Sequence, residues 1–438
     1  MQSTAVILAA GLGTRMKSSL PKTLHRIAGR SMLRHLLASC ETVFDRIVVV
    51  TGPDMDAVRR EAEPHLTVVQ SQQLGTAHAA LQAAAHFGAG DVAVLYADNP
   101  LIRPPTLRHL LDSRRNADTG LALLAFRPAD PGRYGRVILR DGLVSSIVEF
   151  ADATEQERAI ELCNAGVLCA PAAAMTRWLR GVQNRNGKGE YYLTDTVELA
   201  RAEGAHVVAV EAPAEELAGV NTRAELAAAE AVVQSWLREA AMESGVTMVD
   251  PTSVFLCADT QLSADVTIEP NVVFGPGVKV ASGAAILAFS HLQGATIGPG
   301  CIVGPFARLR PGTVLDKDVH VGNFVELKAA RMAAGVKANH LSYIGDTSVG
   351  AATNIGAGTI TCNYDGHAKH RTTIGANAFI GSDVALVAPV SVGDGAVIGA
   401  GSVITEDVAP DALALARGRQ VQKPGWAAEM RAARKGRS

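Results

Sequence analysis

The chain has 438 residues, 48% of them hydrophobic, and a formal net charge of -2; at about 100–200 residues per domain that length suggests two to four domains. The near-neutral balance argues against a polyanionic partner such as nucleic acid, so cationic chemistry must be local. Six scattered cysteines (Cys40, Cys163, Cys169, Cys257, Cys301 and Cys362) with no CxxC pair argue against a zinc site or a disulfide framework and for free thiols in a reducing compartment.

The first apolar run, residues 5–10, is too short for a signal peptide and has no Lys or Arg before it. No stretch approaches the ~20 apolar residues of a membrane helix. A soluble, cytoplasmic protein with no membrane association is expected. Val6-Ile7-Leu8 reads as a short strand ending in a Gly-rich turn, and residues 46–50 and 91–96 are further β-branched or apolar strands. Residues 75–87 and 105–116 read as helices between such strands. Strands alternating with helices predict an α/β, Rossmann-like domain on a mostly parallel sheet, with ligands beyond the carboxyl ends of the strands.

Residues 222–242 read as one long helix. Leu226, Ala229, Val233, Trp236 and Leu237 recur at helical spacing, and Thr222 with Glu225 matches a capping box. The helix either connects two domains or packs on the first. From about residue 250 the period becomes six. Aliphatic or aromatic residues fall at Ile268, Phe274, Val280, Ile286 and Leu292; after a one-residue slip they continue at Ile297, Val303, Leu309, Leu315, Val321 and Leu327. A third series runs Ile374, Ile380, Leu386, Val392, Ile398 and Ile404. Six is the repeat of a parallel β-helix, in which each hexapeptide is one short strand and one turn. The register breaks between Ile360 and Thr373, so residues 362–367 should protrude as a loop.

The segment Leu8-Ala9-Ala10-Gly11-Leu12-Gly13-Thr14-Arg15-Met16 follows the first strand. Its glycines let backbone N–H groups approach a phosphate, and Arg15 and Lys22 add cations suited to a polyphosphate. It lacks the closing residues of a Walker A loop and the third Gly of a dinucleotide fingerprint. With Leu20-Pro21-Lys22 it resembles the signature of the sugar-phosphate nucleotidyltransferases. Gln70, residues 73–78, Tyr96-Ala97-Asp98, Tyr134-Gly135-Arg136, Val148-Glu149, Asn164-Ala165-Gly166, residues 189–195 and Gly219-Val220-Asn221 continue the resemblance in order. With the hexapeptide half added, nearly the whole chain resembles the family of bifunctional N-acetylglucosamine-1-phosphate uridylyltransferases/glucosamine-1-phosphate N-acetyltransferases.

The resemblance implies roles. Leu8, Ala10, Gly11, Gln70, Gly75 and Thr76 would line the uridine pocket, and Ala9 would border the nucleotide sugar. Arg15 and Lys22 would face the triphosphate of UTP. Tyr96 and Ala97 would border the nucleotide sugar, and Gly135, Glu149 and Asn164 would hold the sugar. Asp98 and Asn221 would hold Mg²⁺. Without the resemblance, Asp98 at a strand end could equally cap a turn. The family commonly has Gly at position 97 and Thr at 165; Ala97 adds a methyl beside the implied metal ligand, and Asn99 replaces a more usual apolar residue.

In the second half, residues 304–312, 322–328 and 354–359 match the family's acetyltransferase. By that resemblance His340 is the base for the glucosamine amine and Glu326 supports it. Arg310, Lys328, Tyr343 and Asn354 would grip glucosamine-1-phosphate. Ala357, Asn363, Tyr364, Ser382, Ala400 and Arg417 would contact acetyl-CoA. Taken one by one, each is also an ordinary solvent-facing residue of a β-helix. The family implies a left-handed parallel β-helix, a homotrimer with shared sites, and synthesis of UDP-N-acetylglucosamine, a precursor of peptidoglycan and lipopolysaccharide. The expected organisation is a uridylyltransferase domain over 1–221, a helical linker over 222–249, the β-helix over 250–420 and a tail over 421–438. The tail's Arg431, Arg434, Lys435 and Arg437 read as solvated. The alternative to the bifunctional reading is a monofunctional nucleotidyltransferase whose β-helix is structural or regulatory.

Overall fold

The computed structural model describes residues 2–435 other than 12 and 117; Leu12 of the glycine loop and Arg437 of the tail lie outside the described residues. The chain divides into two compact units at Trp236/Leu237, inside the helix Arg223–Glu243. That helix starts as its capping box requires: the Glu225 carboxylate accepts from the N–H groups of Asn221 (2.7 Å) and Thr222 (2.8 Å), and the Thr222 hydroxyl accepts from Glu225 N (3.2 Å).

In the first unit, β1 (Ser3–Leu8), β2 (Arg46–Thr51), β3 (Leu66–Val69), β4 (Asp91–Tyr96), β5 (Thr119–Phe126), β6 (Arg136–Arg140), β7 (Leu143–Val148), β8 (Cys163–Pro171) and β9 (His206–Glu211) form one sheet. Its main path is β9-β5-β8-β4-β1-β2-β3. β1 pairs in parallel with both β2 and β4, whereas β8 runs antiparallel to β4 and β5. β1 is buried at all six positions, because helices cover both faces of the sheet. Val6, Val48 and Val94 point to a core shared with Ala77, Met175 and Trp178, while Ala5, Ile7 and Val49 point to one shared with Leu33, Leu36 and Leu107. Two expected helices are present as Thr76–Gln82 and Pro104–Arg115, the first continued by a short turn at Ala84–His86. β1 and β4 end side by side, Leu8 opposite Tyr96, which brings the glycine loop and Asp98 to one edge of the sheet.

The second unit is a parallel β-helix with faces of ten, eight and eight strands. Every residue of the six-residue series from Ile268 to Leu327 and from Ile374 to Ile404 is buried, each such side chain contributing about 1.5–3 kcal/mol. Met332, Ala338, Ile344, Val349 and Ile355 carry the inward row across the gap between the series. At the register break the inward residue is Thr361, 1% exposed, whereas Ile360 is 47% exposed.

A coil returns after the step from Thr267 to Ala285 or from His320 to Lys337, but the step from Asn354 to Phe379 is longer by about one hexapeptide. The surplus is the loop, pinched by a bridge between Tyr364 and Lys369. Asp365 latches it: its carboxylate accepts from His367 N and Ala368 N, both at 2.7 Å, and contacts His370 Nε2. The protrusion therefore begins at Tyr364; Cys362 stays in a strand and Asn363 is buried, against the expectation that both would project.

One corner is unusual. Phe289, Phe306, Phe324 and Leu341 occupy it in successive coils with φ between 50° and 59°, a conformation costing a non-glycine residue about 1–2 kcal/mol. The three rings stack at 4.9 and 5.1 Å, which offsets part of that cost at about 0.5–1.5 kcal/mol per pair. All four side chains are exposed.

Candidate functional site

A cavity of about 1030 Å³ in the first unit opens at the carboxyl ends of β1 and β4. Leu8, Ala9, Ala10, Gly11, Arg15, Lys22, Gln70, Gly75, Thr76, Tyr96, Asp98 and Glu149 line it. Its cationic end is one connected group. The Lys22 ammonium donates to Asp98 Oδ2 at 2.6 Å and to Asn221 Oδ1 at 2.9 Å, and Arg15 donates to the same Asn221 oxygen at 2.8 Å. Lys22 reaches them because Gly13 has no side chain; a Cβ at Gly13 would stand 2.5 Å from Lys22 Cβ.

Two oxygens already converge on a cation here, a carboxylate and an amide. That donor set suits Mg²⁺, which is usually held by one or two carboxylates plus substrate phosphates and waters. No group of three His, Cys, Asp or Glu side chains forms a metal cage among the described residues, so the other ligands of such an ion would be waters or substrate phosphates.

The far end of the cavity is built by close backbone contact. Gly75 has φ 120°, and a Cβ there would lie 2.5 Å from Tyr191 O. Ala77 N donates to that carbonyl and the Thr76 hydroxyl accepts from Leu193 N at 2.9 Å. Gln70 is buried and donates to Gly75 O at 3.1 Å. Gly166, at φ 78°, leaves room for the Tyr96 ring, which a Cβ would overlap; burial pushes the Tyr96 phenol up.

Gly135 and Asn164 pair through the Asn164 N–H to Gly135 O bond at 2.9 Å, directly behind Glu149. They stand beside the lining rather than in it. Burial pushes the Glu149 carboxyl up, opposed by Lys188 and by the Thr194 hydroxyl. Ala97 is corrected: it is 1% exposed in the core and does not line the cavity. Gln73, Arg133, Phe150, Lys188, Glu190, Tyr192 and Thr194 line the cavity without having been assigned a role. Several lie within the segments 73–78 and 189–195, whose resemblance was the available signal.

In the second unit the expected acetyltransferase residues fall on two lines. Asn323 and His340 are register partners on neighbouring coils. Ala357, Ser382 and Ala400 follow the strands Asn354–Ile355, Phe379–Ile380 and Val397–Ile398 of the same face. Arg417 donates to Ala400 O at 2.8 Å. His340 thus stands at one end of a row of small residues.

The second line holds cations. Arg310 donates to Glu326 at 2.9 Å, and Lys328 pairs with Asp346 at 3.0 Å. Asn363 donates to Asp346 and lies 3.5 Å from the Tyr343 hydroxyl. Lys369, from the loop, stands beside Lys328, which pushes its ammonium down. Sequence reasoning missed Lys369, because a loop residue carries no repeat position. Asn354 lies one strand from Lys337, and Tyr364 projects at 60% exposure.

The expected support of His340 by Glu326 is not what the chain holds. The Glu326 carboxylate lies against Arg310 and, at 3.6 Å, Arg308, whereas His340 Nδ1 contacts Asn323 Oδ1 at 2.8 Å. The reason is register: Glu326 is opposite Tyr343 on the adjoining face, and Asn323 is opposite His340.

Residues 5–175 match the model of the MobA-like NTP transferase domain, and residues 371–406 match the bacterial transferase hexapeptide (six repeats). Over nearly its full length the chain is similar to proteins named "Bifunctional protein GlmU". That of Acidiphilium cryptum is 66% identical, covering 98% of this chain and 99% of the relative. That of Granulibacter bethesdensis is 65% identical over 99% and 97%, and that of Gluconacetobacter diazotrophicus 62% identical over 98% and 94%.

Proposed function

The chain belongs to the family of bifunctional GlmU proteins, and from that premise we infer that it is the enzyme that makes UDP-N-acetylglucosamine in two steps. The hexapeptide unit transfers an acetyl group from acetyl-CoA to glucosamine-1-phosphate. The first unit transfers a uridylyl group from UTP to the N-acetylglucosamine-1-phosphate formed, releasing pyrophosphate. The observation that carries this reading is the joint presence, in one chain, of the Lys22–Asp98–Asn221–Arg15 group at a cavity of nucleotide-sugar size and of a β-helix edge headed by His340.

In uridylyl transfer the sugar phosphate oxygen attacks the α-phosphorus of UTP and the bond to pyrophosphate breaks. The nucleophile is already an anion, so alignment and charge neutralisation are the catalytic needs. Lys22 and Arg15 supply fixed positive charge where the triphosphate lies, and Asp98 and Asn221 would hold Mg²⁺. The ion, when bound, neutralises charge that builds on the leaving pyrophosphate. Gln70, Gly75 and Thr76 fix the uridine, and Glu149 with Asn164 and Gly135 accepts the sugar hydroxyls.

In acetyl transfer the glucosamine nitrogen attacks the thioester carbonyl. The C–N bond forms, the C–S bond breaks, coenzyme A leaves as thiolate, and His340 takes the ammonium proton. Arg310, Lys328 and Lys369 bind the sugar phosphate; Tyr343 and Asn354 border it. Acetyl-CoA lies along Ala357, Ser382, Ala400 and Arg417 with Asn363 and Tyr364 above it. The protein acts as a cytoplasmic homotrimer, and the exposed column of Phe289, Phe306, Phe324 and Leu341 supports association, since an apolar row is stabilised by a neighbour.

A coupled assay supplied with glucosamine-1-phosphate, acetyl-CoA, UTP and Mg²⁺ tests the reading. Coenzyme A and pyrophosphate should both appear, pyrophosphate only after acetylation. Pyrophosphate release from added N-acetylglucosamine-1-phosphate, with no coenzyme A released from glucosamine-1-phosphate and acetyl-CoA, would support the monofunctional alternative instead.

A further inference from the structure

We propose that Asn323 is the positioning residue of acetyl transfer: its amide oxygen holds His340 in the tautomer that leaves Nε2 free to take the amine proton. The inference rests on the reading of His340 as the base. The bond itself is direct, His340 Nδ1 to Asn323 Oδ1 at 2.8 Å. An amide oxygen only accepts, so Nδ1 carries the hydrogen and Nε2 keeps its lone pair.

The pair is held from below. Asn323 and His340 sit at matching positions of neighbouring coils, about 4.8 Å apart in a parallel ladder. Leu341 N donates to Asn323 O at 3.0 Å, tying the two corners together. Each is followed by a left-handed residue, Phe324 and Leu341, and the Phe324 ring stacks on Phe306 beneath it. Asn323 is thus fixed by backbone and by a stacked ring before any substrate arrives, as an orienting group must be.

The carboxylate that the resemblance assigns to His340 is engaged elsewhere. Glu326 faces Arg310 and Arg308 on the adjoining face. A neutral partner has a chemical consequence: it orients the imidazole without adding a negative charge beside it. The tautomer is selected and the ring held.

The test compares Asn323→Leu with Asn323→Asp in the full-length protein. Leucine removes the acceptor at similar volume; aspartate keeps an oxygen in its place. Asn323→Leu should lower kcat for acetyl transfer about tenfold to a hundredfold, the range for losing an orienting partner, with KM for acetyl-CoA and for glucosamine-1-phosphate unchanged. Asn323→Asp should recover most of kcat, and neither variant should alter uridylyl transfer. An undiminished kcat in Asn323→Leu, a loss confined to KM, or an Asn323→Asp protein as slow as Asn323→Leu would each overturn the proposal. His340→Ala is run alongside. If it acetylates normally, the base assignment fails; if it is inactive while Asn323→Leu is fully active, only the positioning role fails.

Discussion

Replacing Gly13 by alanine should separate the placing of Lys22 from the integrity of the fold. Gly13 has φ 61°, and an added Cβ would stand 2.5 Å from Lys22 Cβ. Ordinary carbon contacts begin about 1 Å further out, so Lys22 must retreat by that amount. The retreat draws its ammonium away from Asp98 and Asn221, now at 2.6 and 2.9 Å. A misplacement of about 1 Å at a reacting centre costs on the order of a hundredfold in rate. The left-handed conformation adds about 1–2 kcal/mol against alanine, a cost in stability that the unit should survive. Pyrophosphate release from UTP and N-acetylglucosamine-1-phosphate reports the rate, and urea unfolding reports stability. Acetyl transfer in the same protein should be unchanged. Gly11→Ala is the companion: nothing lies within 4 Å of its would-be Cβ, so stability should hold while KM for UTP rises, because the methyl takes space at the wall of the nucleotide cavity. A Gly13→Ala enzyme with normal uridylyl transfer would refute the argument that this glycine exists to seat Lys22.

Asp98→Ala should abolish uridylyl transfer and spare acetyl transfer, since Asp98 belongs to the first unit and His340 to the second; UDP-N-acetylglucosamine formation at the normal rate would remove Asp98 from the site. His340→Ala should lower acetyl transfer by about 10²–10⁴-fold, the usual contribution of a general base, with uridylyl transfer intact as the control measurement. Asp195 gives a pH test: burial, then Glu198, Glu149 and Asp152, push its carboxyl up to about 6. The folded chain holds that proton more tightly than the unfolded chain does, so the wild type loses stability as pH rises from about 4 to about 6. The urea midpoint of Asp195→Asn should therefore gain on the wild type across that window; a pH-independent difference would show that Asp195 carries no such shift.

The repeat unit was legible because burial and period are the same fact seen twice. Every residue from Ile268 to Leu327 that the six-residue spacing picks out faces inward. The spacing stops being informative where it slips to five residues, as at Met332 and Val349, and where the inward residue is polar or small, as at Thr361 and Ala338, so these were not in any series although all are buried. Partners were less legible than faces. A period says that Glu326 and His340 point outward, but which outward groups meet depends on the coil-to-coil offset, and that offset matched His340 to Asn323 instead. In the first unit the segments 8–16 and 96–98 pointed to the cavity, while Ala97, placed beside the nucleotide sugar by the resemblance, is buried in the core just past the end of β4. Lys369 was invisible for another reason: a loop has neither period nor register.

The coil steps also give the β-helix a reading frame. A full coil is three repeats, and its length in residues varies, as the steps from His320 to Lys337 and from Asn354 to Phe379 show. Position on a face is therefore counted in repeats. Inserting one hexapeptide between Asn323 and His340 would act like a frameshift, turning His340 and every later residue onto the next face and parting His340 from Asn323. Inserting a whole coil between Thr267 and Leu292 would instead be silent for the chemistry, lifting the entire row of Asn323, His340, Ala357, Ser382 and Ala400 along the axis by about 4.8 Å with its internal spacing preserved. The length of the helix below the site is thus free to drift over evolution, while the phase of the coils is not.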